Sequence, residues 1–157
     1  KKGFSLIDAD KIVHDLYKKN AVGSKKIAAY FGRKFLNKDG SVNRKKLGEL
    51  VFNDDDERKM LENLIHPEVY AEIKCLLSKV RANKVRKKNV AIESVYFDQG
   101  FLGDFVDKIL WVERSEAEIR KVLIGERGFD ADMAEKLIML IQKPAKVDFV
   151  IQNNENI

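Results

Sequence analysis

Cysteine, proline and long apolar runs are scarce in this sequence. Its 157 residues include one cysteine, Cys75, and two prolines, Pro67 and Pro144. A single cysteine excludes an intrachain disulfide and a cysteine-based metal site, and its apolar neighbours predict a buried core position. No run approaches the roughly 18 apolar residues that span a bilayer. Since no signal peptide is visible either, we expect a cytoplasmic protein without a membrane partner.

Charged residues, by contrast, are abundant. They make up 35% of the chain and leave a net charge of +5, which suits a polyanionic partner such as a nucleotide, a nucleic acid or an acidic lipid. The densest basic run, Lys84–Lys88, is predicted to be a solvated loop. No aromatic side chains are interleaved with its charges, which weakens a reading as a single-stranded nucleic-acid site. We therefore expect no nucleic-acid partner.

Short apolar runs alternate with helical patterns along the chain. Four runs predict β-strands: Phe4–Ile7, Val90–Ile92, Ile109–Val112 and Phe149–Ile151. Strands separated by helices are typical of a parallel sheet, so the predicted fold class is α/β with flanking helices. Ligands bind beyond the carboxyl ends of such strands. The polar residues at these ends are Asp8, Asp10, Glu93, Ser94 and Glu113.

Capping signals predict where several helices begin. Asn43, the acidic run 54–56 and Ser115 with Glu118 three residues later are typical helix starts. Pro67 is predicted to open a new helix, because proline is favoured in a first turn. No strand pattern interrupts residues 22–80. We predict one domain over residues 1–157, with residues 22–80 as a helical subdomain inserted between the first two strands.

Five local patterns, in this order, resemble the dephospho-coenzyme A kinases. They are Ile7–Asp10 followed by Ile12 and His14; Phe31–Gly32 with Asp39–Gly48 and Val51–Phe52; Leu61–Val69; Glu93–Asp98; and Val147–Asn153. Each is common by chance, but five in order with compatible spacing are not. The resemblance implies a P-loop kinase-like, three-layer α/β/α fold. In it, residues 22–80 would form the substrate-binding insertion and residues 115–146 the lid region.

The resemblance also implies a reaction. Members of this family use magnesium ATP to phosphorylate the ribose 3′-hydroxyl of dephospho-coenzyme A, the last step of coenzyme A biosynthesis. Their phosphate-binding loop, Gly-x-x-x-x-Gly-Lys-[Ser/Thr], has no match here, so we expect it upstream of Lys1. The alternative is a non-catalytic homologue that binds nucleotide or coenzyme A. A third hypothesis is a related P-loop kinase with another small substrate.

Three residues of the first half receive roles from the resemblance. Asp10 matches the acidic residue beside the acceptor hydroxyl, where a carboxylate can accept the proton or orient that hydroxyl. Asp8 is predicted to face the substrate and could bind magnesium through water; the alternative for both aspartates is that they cap a helix. Arg44 matches a basic position near the substrate and can hold a phosphate by two hydrogen bonds. Its alternative is an exposed first-turn arginine.

The remaining assignments also follow from the resemblance. His66 and Glu93 are predicted to line the substrate pocket, His66 alternatively being a hydrogen-bonded residue at a helix end. In the lid region, Arg127 and Lys121 are predicted to neutralise charge on the transferring phosphoryl group. Arg120 and Asn153 are predicted to contact the nucleotide. No metal ligands are predicted beyond Asp8, since two isolated histidines argue against a zinc site.

Overall fold

The computed structural model of the chain describes residues 3–82, 89–95, 103–141 and 143–153. The chain divides into two compact units, Lys1–Ser94 and Val95–Ile157, called here unit 1 and unit 2. The basic run 84–88 and residues 96–98 of the fourth family pattern lie outside the described residues. The predicted division into an insertion over 22–80 and a lid region over 115–146 differs from these units and stays a prediction.

Unit 1 is built on two parallel strands. β1 (Phe4–Asp8) pairs in parallel with β2 (Asn89–Glu93), and the register runs from Phe4 opposite Asn89 to Asp8 opposite Glu93. Both strands were predicted from their apolar runs and are confirmed. Their parallel direction brings the two carboxyl ends, with an acidic residue on each, to the same edge.

The elements between β1 and β2 in the described part of the chain are all helical. They are α1 (Ala9–Leu16), α2 (Val22–Tyr30), a short 3₁₀ turn (Arg33–Phe35), α3 (Arg44–Asn53) and α4 (Asp55–Ala82). Their apolar faces form a core in which Ile27, Leu47 and Ile73 are almost fully buried. The predicted caps are confirmed at α3, where Asn43 accepts from the Lys46 amide at 3.0 Å. Asp54 likewise accepts from the amides of Asp56 and Glu57.

The prediction that Pro67 opens a helix is wrong. α4 runs unbroken through Pro67, which is exposed inside it. A proline in a helix interior removes one amide donor and costs about 3 kcal/mol. Burial of Ile65, Val69 and Tyr70 on either side offsets that cost. Nearby, Lys26 of α2 forms an ion pair with Glu68 at 2.7 Å, which ties this stretch of α4 to α2.

Cys75 is also misplaced by the sequence prediction, because its side chain is exposed and not part of the core. The buried positions of this part of α4 are Val69, Ile73 and Leu77, spaced four residues apart. A residue two positions after Ile73 lies about 200° around the helix. Cys75 therefore faces away from the buried stripe although its neighbours in sequence are apolar.

Unit 2 repeats the pairing of parallel strands with a smaller core. β3 (Leu110–Glu113) pairs with β4 (Phe149–Gln152), and both predicted strands are confirmed. Between them lie α5 (Glu116–Lys121), a π-helical turn (Val122–Glu126) and α6 (Ala131–Met139); a 3₁₀ turn (Gly103–Phe105) precedes β3. Ser115 accepts from the Glu118 amide, which confirms the cap. Among the described residues of this unit, Ala134 and Ile138 are the buried ones.

The architecture is thus mixed α/β with parallel strands and flanking helices, as predicted. None of the described helices combines the length and the apolar character that crossing a membrane requires.

Candidate functional site

The carboxyl ends of β1 and β2 carry two neighbouring acidic residues. Asp8 and Glu93 are register partners, so their Cα atoms are separated by roughly the 4.8 Å spacing of adjacent strands. Asp8 is half-buried and Glu93 is exposed. Among the described residues no cluster of three or more metal-binding side chains occurs. Two adjacent carboxylates at a sheet edge nevertheless suit Mg²⁺, which usually keeps several waters and needs only one or two protein carboxylates.

The two aspartates at this edge have different local functions. Asp8 is the N-cap of α1, and its Oδ1 accepts from the Lys11 amide at 2.9 Å. Asp10 lies in the first turn of α1 and is exposed. Within the described part of the chain no hydrogen bond or ion pair engages its carboxylate. Asp8 therefore caps α1 with one of its two carboxylate oxygens, whereas the carboxylate of Asp10 is available for another purpose.

Arg44 begins α3 and lies against α1. Its Nη1 is 3.5 Å from Nδ1 of His14, which follows Asp10 by four residues and so shares its helix face. Burial raises the pKa of Tyr17, just beyond α1, and the positive charge of Arg44 opposes that shift. No carboxylate of the described residues lies within 4.0 Å of the Arg44 guanidinium. Its positive charge therefore remains available to an anion.

Unit 1 thus places four of the predicted substrate-side residues on or beside β1, α1 and the carboxyl end of β2. They are Asp8, Asp10, Arg44 and Glu93. His66 lies on α4, half-buried, with its ring centroid 5.9 Å from that of Tyr70. It lies inside a continuous helix and not at a helix junction, so the helix-end alternative for it is wrong.

The predicted phosphate-binding residues of unit 2 differ in how they are held. Arg120 on α5 donates through Nε and Nη2 to both carboxylate oxygens of Glu135 on α6, the Nη2 contact being 3.0 Å. This bidentate pair lowers the pKa of Glu135 and links the two helices. Lys121 and Arg127 are exposed, before and after the π-helical turn. Lys121 and Arg127 are therefore accessible to a ligand, whereas the guanidinium of Arg120 is already bound to Glu135.

Asn153 follows β4 directly and is exposed. The backbone amide of Asn153 donates to the backbone carbonyl of Glu113 at 2.7 Å, which extends the β3–β4 pairing by one residue. The Glu113 carboxylate accepts from Lys143 at 3.1 Å and from Gln152 at 2.5 Å. These contacts lower its pKa, the Lys143 hydrogen bond most of all. Asn153 is thereby fixed at the carboxyl edge of the second strand pair.

Sequence reasoning missed the contact of His14 with Arg44. His14 belongs to one of the family patterns, but no role was predicted for it. The signal that could have found it is its spacing of four residues from Asp10, which puts both on one helix face. The contact with Arg44, thirty residues further on, could not be read from local sequence.

Solved structures agree with this architecture. The crystal structure of TT1252 from Thermus thermophilus covers 98% of this chain and 77% of its own, with a TM-score of 0.69 and 22% identity. Dephospho-CoA kinase from Campylobacter jejuni, with the same coverage, has a TM-score of 0.52 and 28% identity. The mixed α/β architecture and its likeness to these structures thus place the chain among α/β proteins of the P-loop kinase fold, as predicted.

Sequence comparison identifies the family within that class. The family model described as Dephospho-CoA kinase matches residues 1–157. Dephospho-CoA kinase of Fusobacterium nucleatum is 37% identical over 161 residues, covering 99% of this chain and 80% of that protein. The chain belongs to the dephospho-coenzyme A kinase family. The predicted family is confirmed, and the alternative of a non-catalytic homologue is not favoured.

Proposed function

We propose that the protein transfers the γ-phosphoryl group of ATP to the ribose 3′-hydroxyl of dephospho-coenzyme A, with Mg²⁺ bound to the phosphates. Membership of the family supports a kinase that uses ATP. The observation in the structure that supports this reaction best is the exposed carboxylate of Asp10, which is released from capping because Asp8 caps α1. Asp10 lies two residues beyond Asp8, at the edge where the strands end, which is the usual ligand position in such folds.

Asp10 is the residue that we assign to the acceptor hydroxyl. As the ribose oxygen attacks the γ-phosphorus, the bond to the bridging oxygen of ADP breaks and the hydroxyl proton moves to the carboxylate. Phosphoryl transfer needs little covalent assistance from the protein, so positioning and charge stabilisation carry most of the catalysis. A carboxylate that only orients the hydroxyl would occupy the same place.

The two carboxylates at the strand ends fit a magnesium ion. Oδ1 of Asp8 is used by the Lys11 amide, which leaves Oδ2 for a metal-bound water, and Glu93 lies beside it in register. When bound with ATP, Mg²⁺ would neutralise charge on the phosphates. Glu93 and His66 remain proposed residues of the substrate pocket.

The cations divide between substrate and nucleotide. Arg44, which no described carboxylate neutralises, is proposed to hold a phosphate of dephospho-coenzyme A. Lys121 and Arg127 are proposed to approach the γ-phosphoryl group, and Asn153 to lie near the adenine. Arg120 contacts a nucleotide phosphate only if that phosphate replaces Glu135, since both carboxylate oxygens now accept from its guanidinium.

The test is an assay for ADP release with the full-length protein, with mass detection of the product. ADP release is expected to depend on both dephospho-coenzyme A and Mg²⁺, with coenzyme A as the product. Shikimate and nucleoside monophosphates serve as control acceptors. Comparable turnover with these acceptors, and none with dephospho-coenzyme A, would contradict the proposal.

A further inference from the structure

The contact between Arg44 and His14 in unit 1 has no part in the proposed reaction. The Arg44 guanidinium, through Nη1, lies 3.5 Å from Nδ1 of His14, and both side chains are exposed. An imidazole nitrogen can accept from a guanidinium only when the ring is neutral and the proton is on the other nitrogen. A hydrogen bond at this contact therefore requires the tautomer of His14 with the proton on Nε2.

The backbone around this contact is fixed on both sides. The Val42 amide donates to the carbonyl of Tyr17 at 2.9 Å, which attaches the segment before α3 to the end of α1. Next along the chain, the Asn43 amide donates to the carbonyl of Phe35 at 2.8 Å, and the Asn43 side chain caps α3. These hydrogen bonds fix the backbone position of Arg44, the first residue of α3, beside the His14 face of α1. Only the long side chain of Arg44 is left to be oriented.

A histidine is chemically suited to orienting an arginine that must bind an anion. A carboxylate partner holds a guanidinium more strongly but cancels its charge, as Glu135 does for Arg120 in unit 2. A neutral imidazole accepts one hydrogen bond and leaves the full positive charge in place. The remaining guanidinium donors of Arg44 stay available for a phosphate.

We propose that His14 is the positioning residue for Arg44, holding its guanidinium beside the Asp10 face of α1 so that it meets the substrate phosphate already oriented. The proposal rests on the proposed function for the identity of that phosphate, which belongs to dephospho-coenzyme A. Preorganisation of this kind reduces the ordering cost of binding. Its effect should appear in the KM for dephospho-coenzyme A and not in the handling of ATP.

The experiment compares three substitutions of His14. In asparagine the side-chain oxygen takes roughly the place of Nδ1, whereas in glutamine the amide group lies nearer the place of Nε2. His14→Ala is expected to raise the KM for dephospho-coenzyme A about 3- to 10-fold, the range of one modest hydrogen bond. The kcat and the KM for ATP should change by less than about twofold. His14→Asn should restore most of the lost affinity, and His14→Gln should not.

Three outcomes would overturn the proposal in an active protein. One is an unchanged KM for dephospho-coenzyme A in the folded alanine variant. The others are an equal rise in the KM for both substrates and equal behaviour of the asparagine and glutamine variants, since either result indicates a merely structural side chain.

A second readout does not depend on activity. Nitrogen NMR of the histidine side chains in the full-length protein, at a pH where the rings are neutral, should show His14 with its proton on Nε2. Arg44→Ala should move the Nδ1 resonance of His14, because the acceptor nitrogen loses its donor. A His14 ring that carries its proton on Nδ1 in the unmodified protein would refute the positioning role. If the protein fails to phosphorylate dephospho-coenzyme A, the proposed function is wrong. The NMR measurement still shows in that case whether His14 accepts a hydrogen bond from Arg44.

Discussion

The two units of the chain use their charged side chains differently. In unit 2, Arg120 is paired with Glu135, and further ion pairs join Lys143 to Glu113 and Lys108 to Asp148. Among the described residues of unit 1 the ion pairs lie on α1, α2 and α4 or directly beside them, and none includes Asp10 or Arg44. The charges of unit 1 that are proposed to meet the substrate are thus left unneutralised, whereas Arg120 of unit 2 links two of its helices.

The difference follows from how each unit is held together. Unit 1 buries a dozen or so apolar side chains between its helices, so it does not need its site charges for stability. Unit 2 has a small core around Ala134 and Ile138, and its ion pairs connect α5 to α6 and the segments around β3 and β4. In unit 1, a charge that no neighbouring side chain neutralises is therefore a more specific indication of a binding residue than charge alone.

The largest effect should come from the core of unit 1. Leu47 is 2% exposed, so Leu47→Ala is expected to lower the free energy of unfolding by about 2–5 kcal/mol. Met139, which ends α6 and is 78% exposed, is the matched site in unit 2. Met139→Ala should change stability by less than about 0.5 kcal/mol. Urea unfolding of both variants measures the contrast, and similar losses would show that unit 1 is not held by this core.

The second largest effect should come from removing the unneutralised charge of Arg44. Arg44→Ala is expected to weaken binding of dephospho-coenzyme A by about 1–3 kcal/mol, because a charge-assisted hydrogen bond is lost, and to leave ATP affinity nearly unchanged. Lys45→Ala is the control, since Lys45 is the next residue of α3 and is also exposed. Calorimetric titration with each ligand separates the effects. Equal losses for both ligands would mean that Arg44 supports the fold and not the site.

A third prediction tests how tightly the helices of unit 1 pack. A Cβ at Gly23 of α2 would lie 2.6 Å from the carbonyl oxygen of Leu16, which is backbone and cannot move aside cheaply. Gly23→Ala should therefore destabilise the protein by about 1–3 kcal/mol. Gly48→Ala is the opposite case, because the added atom would meet only Phe52 at 3.8 Å. It should stabilise α3 by up to about 1 kcal/mol. Thermal unfolding that ranks the two variants the other way would refute this packing.

The smallest effect is the acid sensitivity of unit 2. Hydrogen bonds from Lys143, Arg120 and Lys108 lower the pKa values of Glu113, Glu135 and Asp148, respectively. A carboxyl group with a lowered pKa in the folded state adds stability above its ordinary pKa, and this stability is lost as the pH falls through the folded value. Unit 2 should therefore loosen below about pH 4.5, within the acid range of carboxyl groups.

Trp111, the single tryptophan, lies in β3 and reports on unit 2 directly. Its fluorescence during thermal unfolding should show a fall in stability between pH 5 and pH 3, about the range in which carboxylates protonate. Glu135→Gln should make that fall shallower, while Glu126→Gln, an exposed site outside these pairs, should not. An identical pH profile in all three proteins would show that the Arg120 pair contributes nothing.

Local signals predicted much of the fold. The four strands and the caps at Asn43, Asp54 and Ser115 are set by residues close together in sequence, so a single sequence shows them. The continuity of α4 through Pro67 was missed because it depends on packing against other helices. The exposure of Cys75 was missed because neighbouring apolar residues were given more weight than helical periodicity.

The residues of the candidate site could be predicted from the sequence, but the contacts between their side chains could not. Strand ends and the family patterns indicated Asp8, Asp10, Arg44 and Glu93. The contacts of Arg44 with His14 and of Arg120 with Glu135 join residues 30 and 15 positions apart on different helices. Their geometry depends on how those helices pack, which composition and local spacing do not encode. The catalytic and binding roles themselves remain proposals.

The turnover of Asp10→Asn tests the central proposal most directly. Asparagine keeps the size of the side chain but cannot accept the proton, so a loss of about 10²- to 10⁴-fold is expected. Stability should change by less than about 1 kcal/mol, because Asp8 and not Asp10 caps α1. Asp8→Ala is the matched control for capping and should cost roughly 1 kcal/mol of stability. A folded Asp10→Asn protein that keeps more than about a third of its activity would remove Asp10 from the mechanism, since proton transfer contributes far more than that.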